Sequence, residues 1–279
     1  MKRTIEINRI GIICKADFKK RLKVNIIWII STVALMFLYL ALYPVMEELI
    51  IEKLALMPDE ILSILGADSA LSISDFTSYF GMIFSVFAVV FAIYSSLLGS
   101  DVIYDEEKDG TIEFLYAQEV SRWEIYLGKM LNLIINVITI ILCSYLTIII
   151  CGYAVIGSSF NGVNILKIVG LNLIVFLFFG ALGLFLSTIL NKRIKPSSIT
   201  LGIFFGTYLL GYLGNLLKDK INFLQYFSPI YVTNASTILN SNWCNGNTYY
   251  NPLGIIIILI LTIILFIVGG LAYSRRDIL

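Results

Sequence analysis

DVIYDEEKDGTIEFLYAQEVSRWEIYLGK, residues 101–129, is a dense run of charge set between two long apolar segments. Asp101, Asp105, Glu106, Glu107, Lys108, Asp109, Glu113, Glu119, Arg122, Glu124 and Lys129 all fall in it, so it must sit in water. Its local grammar is specific. Ser121 with Glu124 three residues on reads as a capping box, and Val120 and Ile125 occupy the staple positions on either side. A helix therefore restarts at Arg122 and runs on into the next apolar segment. Before it, Gly110 permits a tight turn, and Thr111 can cap a short helix with Ile112, Leu115 and Tyr116 on one face. From pattern alone, the stretch is either a solvated loop between two membrane spans or a short amphipathic helix, a break and a second helix.

The rest of the chain fixes the class. With 58% hydrophobic and 14% charged residues and a mean hydropathy of +0.89, long uncharged runs mark an all-α polytopic membrane protein. Runs at 24–46, 76–100, 131–153, 168–190, 197–217 and 253–273 are each long enough to cross a hydrocarbon core of about 30 Å. That makes six spans. Residues 1–23 are basic, and Ile7, Ile10, Cys14, Phe18 and Leu22 make an apolar stripe interrupted by Arg21. This suits a helix lying in the membrane interface, with a plain basic tail as the other reading. Residues 47–75 read as a surface loop with a short helix started by Pro58 and stopped by Gly66. The nearly uncharged 223–239 segment, broken by Pro229, is a surface loop with a helical patch or a dip into the membrane edge, the latter only if it is buried against protein. Lysine and arginine concentrate in the first residues, in 101–129, at 192–195 and at Arg275 and Arg276, which puts both termini in the cytoplasm.

Within the spans, several faces stand out. The second carries a bulky seam of Phe80, Phe84, Phe87, Phe91 and Tyr94, and a small one of Gly81, Ser85, Ala88, Ala92 and Ser95 where another helix can come close. The aromatic seam is a packing or lipid face, or the wall of a pathway. The third has a polar face of Asn132, Asn136, Thr139, Cys143 and Thr147 that should turn toward protein. The fifth holds Gly202 and Gly206 in a GxxxG arrangement, with Phe204, Phe205, Tyr208 and Tyr212 beside it.

Absences narrow the chemistry. No Asp, Glu, Lys or Arg falls inside the six runs, where ion-coupled carriers keep their coupling groups. The chain has no histidine, and its four cysteines, Cys14, Cys143, Cys151 and Cys244, are scattered, so neither a zinc site nor a disulfide framework is indicated. Gly128 and Lys129 do not form a nucleotide loop, because Trp123 stands where the first glycine is needed and Met130 follows the lysine. Energy for uphill transport must come from another chain.

The run EEKDGTIEFL followed by EVSRWEIYLGK resembles the first cytoplasmic loop of ABC-2 type transporter permeases, with Gly110, Thr111, Glu113, Leu115, Val120, Ser121, Arg122, Leu127, Gly128 and Lys129 at matching positions. MPDEILSILGA before the second span and the closing SRRDIL are also similar to this family. Glu119 departs from it, standing where the family has proline, so the break before Ser121 rests on the capping box. The resemblance implies the membrane half of an ABC exporter, with no ATPase site or cofactor of its own, in the plasma membrane of a bacterium. Residues 1–23 would be its connecting helix. Residues 101–129 would hold the coupling helix, with Glu106, Glu107, Gly110, Thr111, Glu113, Leu115, Ser121, Arg122 and Lys129 engaging a separate ATPase subunit. Two such ATPases, carrying ATP and magnesium, would pair with this chain and a second permease, identical or a paralogue, among membrane lipid and with no nucleic acid. Phe80, Phe84, Phe87, Phe91, Tyr208 and Tyr212 would line a path for a hydrophobic or amphipathic peptide, toxin, drug or lipid. A membrane receptor or sensor, and a passive channel, are the rival readings.

Overall fold

A computed structural model of the chain describes residues 2–45, 76–110, 120–157, 160–191, 193–217, 222–244 and 249–276. These residues are overwhelmingly helical. The long helices are α1 (Lys2–Ala41), α2 (Phe76–Lys108), α3 (Arg122–Ile156), α4 (Gly162–Ile189), α5 (Pro196–Leu216) and α8 (Leu253–Arg275), with the short α6 (Pro229–Val232) and α7 (Ala235–Leu239) before the last. All six long helices are long and apolar enough to cross a membrane. The 47–75 loop lies outside the described residues.

α4 is the centre of the bundle. It packs chiefly on α2 and α8 and also on α3 and α5, while α1 lies along α3. The closest approach is between α2 and α4, where Ser95 of the small seam read from the sequence lies with Ser96, Gly99 and Ser100, whereas Gly81 of that seam meets α7. Ser95 Oγ donates to Phe176 O at 2.5 Å, and a Cβ placed on Gly183 would lie 2.7 Å from both Ser100 Oγ and Ser96 O. Small residues let two backbones approach in this way where lipid supplies no hydrophobic drive between helices.

Three features differ from the sequence reading. First, α1 is unbroken over 40 residues, about 60 Å at 1.5 Å per residue, so the amphipathic stretch continues the first span instead of forming a separate interfacial helix. No proline or glycine near residue 23 would break it. Its buried face there is Ile13, Cys14, Asn25 and the partly covered Asp17 and Arg21, whereas Leu22 of the expected stripe is exposed. Second, Gly202 and Gly206 of α5 meet nothing within 4 Å of a built Cβ. The close approaches on α5 belong to Gly211, against Ser228, and Gly214, against Leu224 and Gln225. Third, the 223–239 segment is divided. Phe223, Tyr226 and Phe227 are exposed, but Ile230, Ala235 and Ile238 are buried among the helices. Asn172 of α4 holds this second part, donating to Thr233 O at 2.9 Å and accepting from Thr233 Oγ1 at 3.0 Å.

The polar face of α3 turns toward protein at Asn132, Asn136 and Thr147, which are buried. Tyr94 Oη donates to Asn25 Oδ1 at 3.1 Å, Asn25 donates in turn to Asn136 Oδ1, and Asn136 donates to Asn132 Oδ1 at 2.7 Å. This chain joins α1, α2 and α3 inside the apolar region.

Candidate functional site: a charged hub under the 101–129 loop

α2 has 33 residues, about 50 Å, which is more than a bilayer core requires. The surplus is its charged end, where Asp105, Glu106 and Glu107 follow one another. Successive residues on a helix are turned by about 100°, so three in a row fan around most of the rod. Each finds a cation on a different element.

Asp105 pairs with Arg21 of α1 at 2.9 Å, and Arg21 also donates to Asp101 O at 2.6 Å. Glu106 pairs with Lys129 of α3 at 2.5 Å, and the same ammonium lies 3.3 Å from Asp17 of α1 and donates to Val102 O at 3.2 Å. Glu107 meets Arg276, just past α8, through both of its oxygens, at 2.8 and 3.1 Å. A further hydroxyl contact, Ser100 Oγ to Thr200 Oγ1 at 2.9 Å, ties in the start of α5. The end of α2 is thereby fastened to α1, α3, α5 and the residue after α8.

Burial makes these pairs consequential. The Lys129 side chain is 0% exposed and that of Glu106 is 8%. Removing an ion from water is tolerated only when partners replace its hydration. Glu106 lies past the apolar run that ends at Ser100, and its burial pushes the carboxyl above the ordinary glutamate value, with Lys129 pulling it down and Asp17 pushing it up. The three groups form one unit.

The predicted coupling residues are distributed around this hub. Glu106, Glu107 and Lys129 belong to it directly. Gly110 has φ of +70° and closes the turn after α2, a backbone region that favours glycine. Thr111, Glu113 and Leu115 lie outside the described residues. Ser121 is the N-cap of α3, with the full capping box in place: Glu124 N donates to Ser121 Oγ at 3.2 Å and Ser121 N donates to Glu124 Oε2 at 2.7 Å. Ser121→Ala should cost about 1 kcal/mol of stability, read as a lowered melting temperature of the purified chain. Arg122, the first residue of α3, donates to Arg276 O.

Sequence reasoning missed Asp17, Arg21, Asp105 and Arg276 as members of the site. Arg21 carried a signal, since it interrupts the apolar stripe of α1 at the position that faces Asp105.

The aromatic residues lie elsewhere. Phe80, Phe84, Phe87 and Phe91 are all buried within the core of this one chain, with Phe91 against Phe176 of α4 at a ring separation of 5.6 Å. Tyr208 stacks on Phe204. Phe84, Tyr208 and Tyr212 share a cavity of about 60 Å³ with Asn172, Asn215 and Tyr231.

Among families, the model described as "ABC-2 family transporter protein" matches residues 12–278. No curated protein matches the chain.

Proposed function

Because the chain belongs to the ABC-2 transporter family, membrane proteins that in general act with an ABC ATPase, we propose that it is the permease of an ATP-driven exporter and is driven through the 101–129 loop. The observation that carries this reading is the hub. The loop springs from the one helix end whose three consecutive carboxylates hold the neighbouring helices, so a displacement of the loop by a partner reaches several spans together. Packed interfaces amplify small shifts in this way because they switch between discrete arrangements.

In this reading the charged end faces the cytoplasm and meets two ATPase subunits, which bind the ATP and magnesium. A second permease chain, identical or paralogous, completes the path beside α2 and α5. The cargo is hydrophobic or amphipathic. Supporting this, the cavity between α2, α4 and α5 is lined by Phe84, Tyr208, Tyr212 and neutral amide and hydroxyl groups, a setting that disfavours a small, strongly charged solute. At about 60 Å³ it must widen for any such cargo to pass.

The test is reconstitution in inside-out vesicles, with and without a cognate ABC ATPase, using a rhodamine-labelled amphipathic peptide as probe. ATP-dependent accumulation of the peptide is expected only with both subunits. Flux without nucleotide would make the chain a channel, and peptide binding with neither accumulation nor ATPase stimulation would make it a sensor.

A further inference from the structure

We infer that Arg276 is a positioning residue that splices the two roots of the 101–129 loop to each other and to α4. The inference rests on the coupling role proposed above.

The described part of α2 ends at Lys108 and α3 begins at Arg122, so whatever moves the loop pulls on these two ends. Both meet at Arg276. Its guanidinium takes Glu107 in a forked pair, Nη1 at 2.8 Å from Oε1 and Nη2 at 3.1 Å from Oε2. Its carbonyl accepts from Arg122 Nη1. The other N–H group of each terminal nitrogen goes to the far end of α4, with Nη1 to Ser187 O at 3.1 Å and Nη2 to Leu190 O at 2.7 Å. The carbonyl end of a helix leaves such oxygens without intrahelical partners and carries partial negative charge, so a cation is favoured there.

The geometry needs arginine. The planar fork presents five N–H donors in fixed directions and can serve a carboxylate and two carbonyls together, which an ammonium cannot do with the same rigidity. Arg276 is only 17% exposed at its side chain and Glu107 4%, so the pair is shielded from the screening that weakens surface bridges. α4 is also the helix packed most closely on α2. A relative shift of the loop's roots therefore cannot leave Arg276 in place without breaking one of these bonds, and if the bonds hold, the shift is delivered to α4 and α8. This adds a role for the residue after the last span, separate from any surface that touches an ATPase.

The experiment uses the full chain with a cognate ABC ATPase in nanodiscs. Spin labels are placed at Lys108→Cys and Lys195→Cys, both exposed positions, with Cys143→Ala to limit background labelling. The distance between them is read without nucleotide and after trapping with ATP and vanadate. The unmodified hub should give a nucleotide-driven shift. Arg276→Gln, which keeps a donor for α4 but loses the charge, and Glu107→Gln, which keeps the shape but loses the charge, should each lower occupancy of the shifted state at least about fivefold, the low end of coupling between sites, while the ATPase still co-purifies. A full shift in either variant overturns the inference and leaves the coupling reading standing. If Arg276→Gln does not accumulate, the nearly isosteric Glu107→Gln decides by the same criterion. No shift with the hub intact removes the coupling reading, and the splice with it.

Discussion

Lys129→Ala should destabilise the chain by about 3–5 kcal/mol, the range for breaking a buried ion pair from one side. The lysine contributes little by attraction alone. What matters is what its loss leaves behind: Glu106 is 8% exposed and Asp17 12% at their side chains, and both lose the ammonium that offsets their lost hydration. Val102 O loses a donor as well. Purified Lys129→Ala should therefore melt at a markedly lower temperature in detergent than the parent chain. Replacing all three groups, with Asp17→Asn, Glu106→Gln and Lys129→Met together, should recover most of the loss, because exchanging a whole buried pair for neutral groups is often neutral or stabilising. A Lys129→Ala protein that melts with its parent would show that these carboxylates reach water and that the hub is loose.

The triple variant has a second use. If the hub serves only to hold the helices, restoring stability should restore transport. If it transmits force, the stable triple variant should still fail to couple ATP hydrolysis to peptide accumulation, since the Glu106–Lys129 pair no longer fixes the end of α2 to α3. Measuring melting temperature and vesicle uptake on the same preparation separates the two.

Which features could be read from sequence follows from how far apart their partners lie. The six spans depend on composition over some twenty residues each, and the capping box at Ser121 and Glu124 is closed within a single turn, so both are legible. The pairings of Asp105 with Arg21 and of Glu107 with Arg276 cross 84 and 169 residues, and no spacing rule encodes them. Charge in the 101–129 run pointed to water, yet Glu106 and Glu107 turned inward because Lys129 and Arg276 supply cations there. The same distance problem governs α1, where an apolar stripe was visible but the face that is buried is set by Asp17 and Arg21 finding partners on α2 and α3. On α5, two glycines four residues apart advertise close contact equally well at 202 and 206 whether or not a neighbour exists, and within this chain the neighbours sit instead at Gly211 and Gly214.

The α2–α4 seam gives the other large expected effect. A Cβ on Gly99 would run into the Gly180 carbonyl, with Gly180 C at 2.9 Å and Cα at 3.1 Å. The obstacle is backbone in the middle of a helix, so it cannot rotate away as a side chain would, and the two helices must part. Parting them also strains the Ser95 Oγ to Phe176 O bond and the packing of Gly183 on Ser96 and Ser100. Gly99→Ala should cost about 1–3 kcal/mol, as overpacking does, and Gly99→Leu more, enough to reduce the folded yield in membranes. Gly202→Ala and Gly206→Ala are the matched controls, since a Cβ at either meets nothing within 4 Å. In the isolated chain both should melt as the parent does. In the assembled transporter, a loss of stability confined to those two α5 variants would place a neighbour on that face, as expected if the second permease packs beside α5. Unchanged melting of the assembly with all three substitutions would mean that the seam is wider than the 2.9 Å approach implies and that no neighbour packs on the Gly202–Gly206 face of α5.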